Sequence, residues 1–361
     1  MSAVAILGHL EALVACDTQN PPRNIEADDP IFRYCTEQVG GDFKVHSWDH
    51  GDGHVSWLAI KGRPHTLFNV HLDTVPAGDG WSSDPHRLVV RDGRAFGRGT
   101  CDIKGAAACL LTLAEQGVAN LALLFTSDEE GAGGCCVARF LETDLARQFR
   151  QVVVAEPSGC RAVLGHRGFL SVKTRFHGDP GHSSEARALV ENANHQMTRW
   201  AAGALQVAAN RKLDGSDPGS CLNIGRVEGG TKSNVIAGSA FVHWSARLQP
   251  GQSNEALLDE IKACADRESR VEWEVPFCGE PLPASGQTDQ LARSFCRAHA
   301  LPEGSPVDFW TEASLFSAAG LPALVLGPGD IAQAHATDEW VALEQLDTAY
   351  ELYRRMVNND G

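Results

Sequence analysis

No stretch of this chain reaches about 18 consecutive apolar residues, so nothing in it has the composition of a membrane-spanning helix. Positive charge is also scarce: 31 Lys and Arg stand against 46 Asp and Glu, a formal net charge of −15. Nucleic acids and anionic membranes both reward basic patches, so this balance argues against either partner and for a small molecule. The opening stretch, "MSAVAILGHLEALVACDTQNPP", lacks a basic leader and is interrupted by His9 and Glu11. It reads as an amphipathic helix ending before Pro21, not as an export signal. No two of the eleven cysteines form a C-x-x-C pair, and an odd number of scattered thiols suits a reduced, cytoplasmic chain. Internal repeats and low-complexity tracts are absent. "GRGTCDIKG" is not G-x-G-x-x-G, which excludes a dinucleotide-binding turn there.

What is present is a long globular sequence. At 361 residues, with 43% hydrophobic and 21% charged, it exceeds what one core usually organises, so two domains are expected. Strand candidates "TLFNVHLD", "LALLFTSDE" and "QVVVAEP" are separated by the helical pattern "KGAAACLLTLAEQG". That order predicts an α/β architecture: a mixed, mostly parallel sheet flanked by helices. From Phe169 the texture changes. Strand "FLSVKTRFHG", helix "LVENANHQMTRWAAGALQVAAN", strands "SCLNIGRVEGG" and "NVIAGSAFVHWSARLQP", helix "SNEALLDEIKACADRE" and strand "RVEWEVPF" follow in turn. This βαββαβ order predicts an inserted α+β unit with an antiparallel sheet. After the link "GEPLPASG", a helix, the strand "LPALVLGPG" and the helix "LEQLDTAYELYRRMV" resume the first pattern.

The chemistry gathers where strands end. In "LALLFTSDEEGAG" an apolar run passes almost directly into Asp128, Glu129 and Glu130. Such acids either form a solvated turn or helix start, or build a binding site at the carboxyl edge of a sheet. "NVHLDTVP" places His71 and Asp73 on one side of an extended chain, because side chains alternate with period two. "GRGTCDIKG" supplies Asp102, "VVVAEPSG" supplies Glu156 and "GPGDIAQAHATDEW" supplies His335. Singly each has a bland reading: a hydrogen-bonded core histidine, a turn-forming aspartate, a strand-end acid, a surface histidine. Together, imidazoles and carboxylates without a suitably spaced thiolate make a ligand set for zinc, cobalt or manganese.

The ordered stretches "HLDTVP", "GRGTCDIKG", "SDEEGAG", "AEPSG", "GHSS" and "GPGDIAQAHATDEW" resemble the zinc-dependent M20 amidohydrolase and aminopeptidase family over essentially the whole chain. "DFWTEASLFSAAG" with "GPGDIAQAHATDEW" is most similar to its acetylornithine deacetylase branch. The resemblance implies a zinc-exopeptidase-like catalytic domain over residues 1–167 and 282–361, with a ferredoxin-like lid or dimerisation domain over 168–281. It implies up to two zinc or cobalt ions: His71 and Glu156 on one, Glu130 and His335 on the other, and Asp102 bridging, with a cis peptide after Asp102. Asp73 would orient His71, and Glu129 would be the general base acting on water. His182 would reach the site of a second subunit in a homodimer and donate to the oxyanion, and Asn234 and Arg247 would bind the substrate carboxylate. The implied reaction is deacetylation of an N-acetylated amino acid of arginine biosynthesis. A non-catalytic, metal-free relative is the contrasting reading, and the presence of all five ligands and the base weighs against it.

Two departures bear on the inserted domain. Glu185-Ala186-Arg187 stands where the family has proline after "GHS", and Ser245 replaces an acid commonly found two residues before Arg247. Elsewhere His46, His50 and His54 are spaced by four, but "HSWDHGDGH" is too glycine-rich and polar for a helix and predicts a solvated hairpin. Asp128 has no role in the pattern and reads as a turn residue. Cys101 has no placed catalytic partner and reads as packing.

Overall fold

The structure, a computed structural model, describes residues 2–21, 25–131, 134–211 and 221–359. Gly133, which closes the acid-and-glycine stretch, and Ser220, first residue of an expected strand, lie outside the described residues. The chain divides into two compact units: Met1–Gly165 with Pro283–Pro306 and Thr311–Gly361, and His166–Leu282 with Val307–Trp310.

The first unit opens with strands β1 (Lys44–Asp49), β2 (Val55–Lys61) and β3 (Thr66–His71), the short pair β4 (Val89–Arg91) and β5 (Arg94–Phe96), then β6 (Leu121–Thr126) and β7 (Gln151–Val154). The second supplies β8 (Gly168–His177), β9 (Cys221–Gly229), β10 (Ser239–Leu248) and β11 (Arg270–Gly279), after which β12 (Ala323–Val325) and β13 (Trp340–Ala342) return to the first.

The main sheet has the order β1-β2-β6-β3-β7-β12. Its β6, β3, β7 and β12 run parallel, while β2 and β1 add antiparallel edges, so the sheet is mixed and mostly parallel, as expected. Both faces are covered, which is why "LALLFT" is buried at every position instead of alternating. On one face Trp57, Phe68, Val70, Leu123 and Phe125 join a single cluster with Leu10, Leu110 and Tyr353. Those three come from helices Ser2–Ala15, Lys104–Glu115 and Leu343–Asn358, which pack on one another. Helices Cys135–Leu141 and Ala313–Ala318 form a separate layer, with Phe140 set against Phe316 at 6.5 Å. Because side chains alternate along β3, burying Phe68 and Val70 in the first cluster turns His71 to the opposite face. The β1–β2 hairpin falls where the sequence around His50 predicts one, whereas the small β13-β5-β4 sheet carried no assignment from the sequence.

In the second unit the antiparallel order β11-β8-β10-β9 confirms the α+β insertion. Its core is aromatic: Trp200 lies 5.6 Å from Phe176 and 6.0 Å from Trp244. The single helix expected over 189–210 is broken into Ala188–Glu191 and Ala193–Asn210, because the Asn192 side chain accepts the N–H of Asn194 and caps the second segment. Residues 307–310, expected with the catalytic domain, belong to this unit. Trp310 packs edge-on against Phe277 at 4.8 Å and Asp308 pairs with Arg167 at 2.6 Å. Among the described residues no helix is long and apolar enough to cross a membrane.

Candidate metal centre

Parallel strands bring their carboxyl ends to one edge of the sheet, and the polar residues expected to act together follow those ends. His71 is the last residue of β3, Glu129 and Glu130 follow β6, and Glu156 follows β7. Asp102 precedes helix Lys104–Glu115, and the Asp102–Ile103 peptide is cis, as the family resemblance implies. His335 sits at φ 59° in the loop before β13.

His71 Nδ1–H donates to the backbone carbonyl of Asp73 at 2.9 Å. A carbonyl can only accept, so Nδ1 carries a proton and Nε2 is the nitrogen turned toward the carboxylates. That Nε2 lies 3.0 Å from Asp102 Oδ1 and 3.4 Å from Glu156 Oε1. On the other side, His335 Nε2 lies 3.2 Å from Asp102 Oδ2 and 2.9 Å from Glu130 Oε1. Asp102 therefore turns one oxygen to each of two imidazole–carboxylate pairs.

The charge balance identifies what such a cluster suits. Burial, opposed by His71 and reinforced by Glu156, Glu130 and Asp102, pushes the Glu129 carboxyl well above its usual range. Glu156 is raised to about 7, again by burial first, and Glu130 is raised by burial and by Asp102. Burial acts to raise Asp102 too, but hydrogen bonds from His335 and His71 hold it below the usual range. His335 is raised to about 10 by hydrogen bonds to Asp102 and Glu130. Crowded, desolvated carboxylates repel one another unless cations sit among them. The buried Glu156 Oε1 has no hydrogen-bond partner in the structure. Donor set and charge thus fit divalent cations, with His71, Asp102 and Glu130 alone offering ligand atoms within 4.8 Å of one another.

Asp73 meets both His71 and the Glu130 turn. Its carboxylate stands 3.5 Å from His71 Nδ1, farther than its own backbone carbonyl, while Oδ2 accepts the Glu130 backbone N–H at 3.0 Å. One residue thus ties the turn carrying His71 to the turn carrying Glu130.

A residue missed in the sequence secures Asp102. Glu339 Oε1 accepts the N–H of Cys101 at 2.8 Å and of Asp102 at 3.0 Å, and Oε2 accepts the N–H of Gly99 at 2.9 Å. Arg98, itself buried, completes the grip with Nη1 at 2.7 Å from Oε2. The signal available was the acid four residues after His335. Asp128, expected to be a turn residue, is fully buried and accepts from the hairpin residue His54 at 2.9 Å. The hairpin expected around His50 exists, but this end of it is turned inward.

The remaining expected residues lie in the second unit. His182 is exposed, with Nδ1 2.8 Å from Ser184 Oγ, and its loop is held against Asn234 by Ser183 N–H donating to the Asn234 carbonyl at 3.2 Å. In place of the missing proline, Glu185 accepts the His182 N–H at 2.7 Å and pairs with Arg187 at 2.7 Å, which pairs in turn with Glu191 at 2.7 Å. Arg247 lies on β10, half-buried, with its guanidinium 3.8 Å from the centre of the Phe169 ring.

Compared with known proteins, the chain matches the profile of Peptidase family M20/M25/M40 over residues 67–359. It is 46% identical over 360 residues to N-acetyl-L-citrulline deacetylase of Xanthomonas campestris pv. campestris, covering 98% of this chain and 97% of that one. Acetylornithine deacetylase of Vibrio vulnificus is 32% identical over 332 residues, 86% of this chain and 85% of the other. Among solved structures, aminopeptidase PepT of Bacillus cereus matches with a TM-score of 0.73 at 20% identity, covering 98% of each chain. The YXEP protein of Bacillus subtilis, a dinuclear metal binding peptidase from the M20 family, matches with a TM-score of 0.66 at 14% identity, over 99% of this chain and 97% of that one. Likeness at these structural identities speaks to fold alone.

Proposed function

The chain belongs to peptidase family M20/M25/M40, and from that premise we propose that it is a metal-dependent deacetylase hydrolysing N-acetyl-L-citrulline to citrulline and acetate in arginine biosynthesis. The observation that carries the metal chemistry is Asp102 set between two imidazole–carboxylate pairs. The identity of 46% to a deacetylase of that substrate, against 32% to an acetylornithine deacetylase, carries the choice of amide.

His71 and Glu156 would hold one ion, Glu130 and His335 the other, and Asp102 both; zinc or cobalt suits this nitrogen and oxygen set. When bound, such ions polarise the acetyl carbonyl and lower the pKa of the attacking water. Glu129 takes the proton from that water and returns it to the departing nitrogen. Asp73 and Glu339 keep the ligand-bearing turns in place through backbone N–H groups. The enzyme acts in the cytoplasm as a homodimer in which His182 donates to the oxyanion in the partner's site, while Asn234 and Arg247 take the substrate carboxylate.

The test measures acetate release from N-acetyl-L-citrulline and N-acetyl-L-ornithine side by side. Faster turnover of the first supports the proposal. Preference for the second replaces it with acetylornithine deacetylase, which differs only in an ammonium for a ureido group. Release from neither removes both.

A further inference from the structure

Beyond the cluster at the sheet edge, the first unit brings a second set of donors together. His54, Asp128 and Cys136 each offer one ligand atom, and these atoms all lie within 4.8 Å of one another. They come from three segments: the end of the β1–β2 hairpin, the stretch after β6, and the first turn of helix Cys135–Leu141. We propose that these three residues form a separate site for a zinc-class divalent cation, one with a sulfur donor that the first centre lacks.

The frame is rigid. Ser127 Oγ accepts the Val55 N–H at 2.8 Å and donates to the Gly53 carbonyl at 2.7 Å, which fixes the hairpin end against the strand end. Asp128 and Cys136 are fully buried, whereas His54 is 28% exposed and opens the site to solvent. Asp128 Oδ2 is shared by His54 Nδ1–H at 2.9 Å and the Cys136 N–H at 3.0 Å. Its Oδ1 is buried with no hydrogen-bond partner. A fully buried carboxylate with one oxygen unserved is costly to keep, and a cation serves it. Cys136 Sγ, 3.3 Å from the Val55 carbonyl, is the third donor within reach.

The protons balance. On binding, the imidazole proton moves from Nδ1 to the outward Nε2, and the thiol proton leaves to water. Cation, carboxylate and thiolate then sum to zero charge, which a buried position tolerates better than a lone carboxylate. A histidine, an aspartate and a cysteine leave the fourth tetrahedral position to water on the His54 side.

The experiment uses enzyme reconstituted with cobalt(II) as its only metal. Imidazole and carboxylate ligands give no sulfur-to-cobalt charge-transfer band in the near ultraviolet, so such a band reports this site and not the first. The expected result is a thiolate band in the wild type, absent in Cys136→Ser with one cobalt fewer per chain, and weakened in His54→Ala with a fall in bound cobalt that matches the loss of the band. Should Cys136→Ser fail to fold, His54→Ala decides alone through its cobalt count and band. No thiolate band in folded, cobalt-loaded wild type, or a band that persists in Cys136→Ser, overturns the proposal and leaves His54 and Asp128 as a hydrogen-bonded pair only.

Discussion

Glu339 accepts the backbone N–H of Asp102 at 3.0 Å from a position four residues beyond His335. The same carboxylate is held by buried Arg98 at 2.7 Å. The loop that carries one proposed ligand, His335, thus clamps the loop that carries the proposed bridging residue, Asp102, through a buried carboxylate paired with Arg98.

Glu339→Gln should therefore do two things. It leaves Arg98 buried without its anion, a change that typically costs about 3–5 kcal/mol of stability. It also loosens Asp102, and lost outer support typically weakens metal binding about 10–100-fold. Thermal unfolding and competition with a chromophoric chelator read the two separately. Unchanged metal affinity in a folded variant contradicts the clamp.

Glu129→Ala tests the base. A group that transfers protons should cost on the order of 10²–10⁴ in rate with metal content intact. Turnover and metal content measured on one preparation settle it, and near-normal turnover would sink the assignment.

Metal removal is the third case. Dialysis against a chelator should abolish acetate release, and zinc or cobalt should restore it. Activity persisting in protein shown by elemental analysis to be free of metal is incompatible with the mechanism.

Much of the site was visible in the sequence because its side chains directly follow apolar runs that could only be buried strands. His71, Glu130 and Glu156 are such residues, and the parallel order of β6, β3 and β7 brings their ends together. What escaped notice acts over long sequence separations through backbone groups. Glu339 reaches 237 positions back to Asp102, and no periodicity records that. Asp73 reads as a partner of His71 two residues away, yet its carboxylate serves the Glu130 N–H 57 positions on. Asp128 looks like a turn residue because its burial depends on a hairpin far from it in sequence. The helix break at Asn192 did leave a local signal, a capping asparagine, but it sat inside a continuous helical pattern.

The last prediction concerns the second subunit. His182 is exposed on the inserted unit, and every candidate metal ligand belongs to the other unit. If His182 completes the site of a partner, a heterodimer of Glu129→Ala and His182→Ala chains contains one site with both residues intact and one with both missing. Each parent homodimer has a defect in every site, so each should be inactive alone, while the mixed dimer should recover roughly half of the wild-type sites. Two differently tagged chains are co-expressed, the doubly tagged dimer is purified, and acetate release is measured after confirming that both parents fold and hold metal. If His182 acted within its own chain, each site of the heterodimer would lack one residue and the mixture would be as inactive as its parents. That outcome ends the proposal of a shared site.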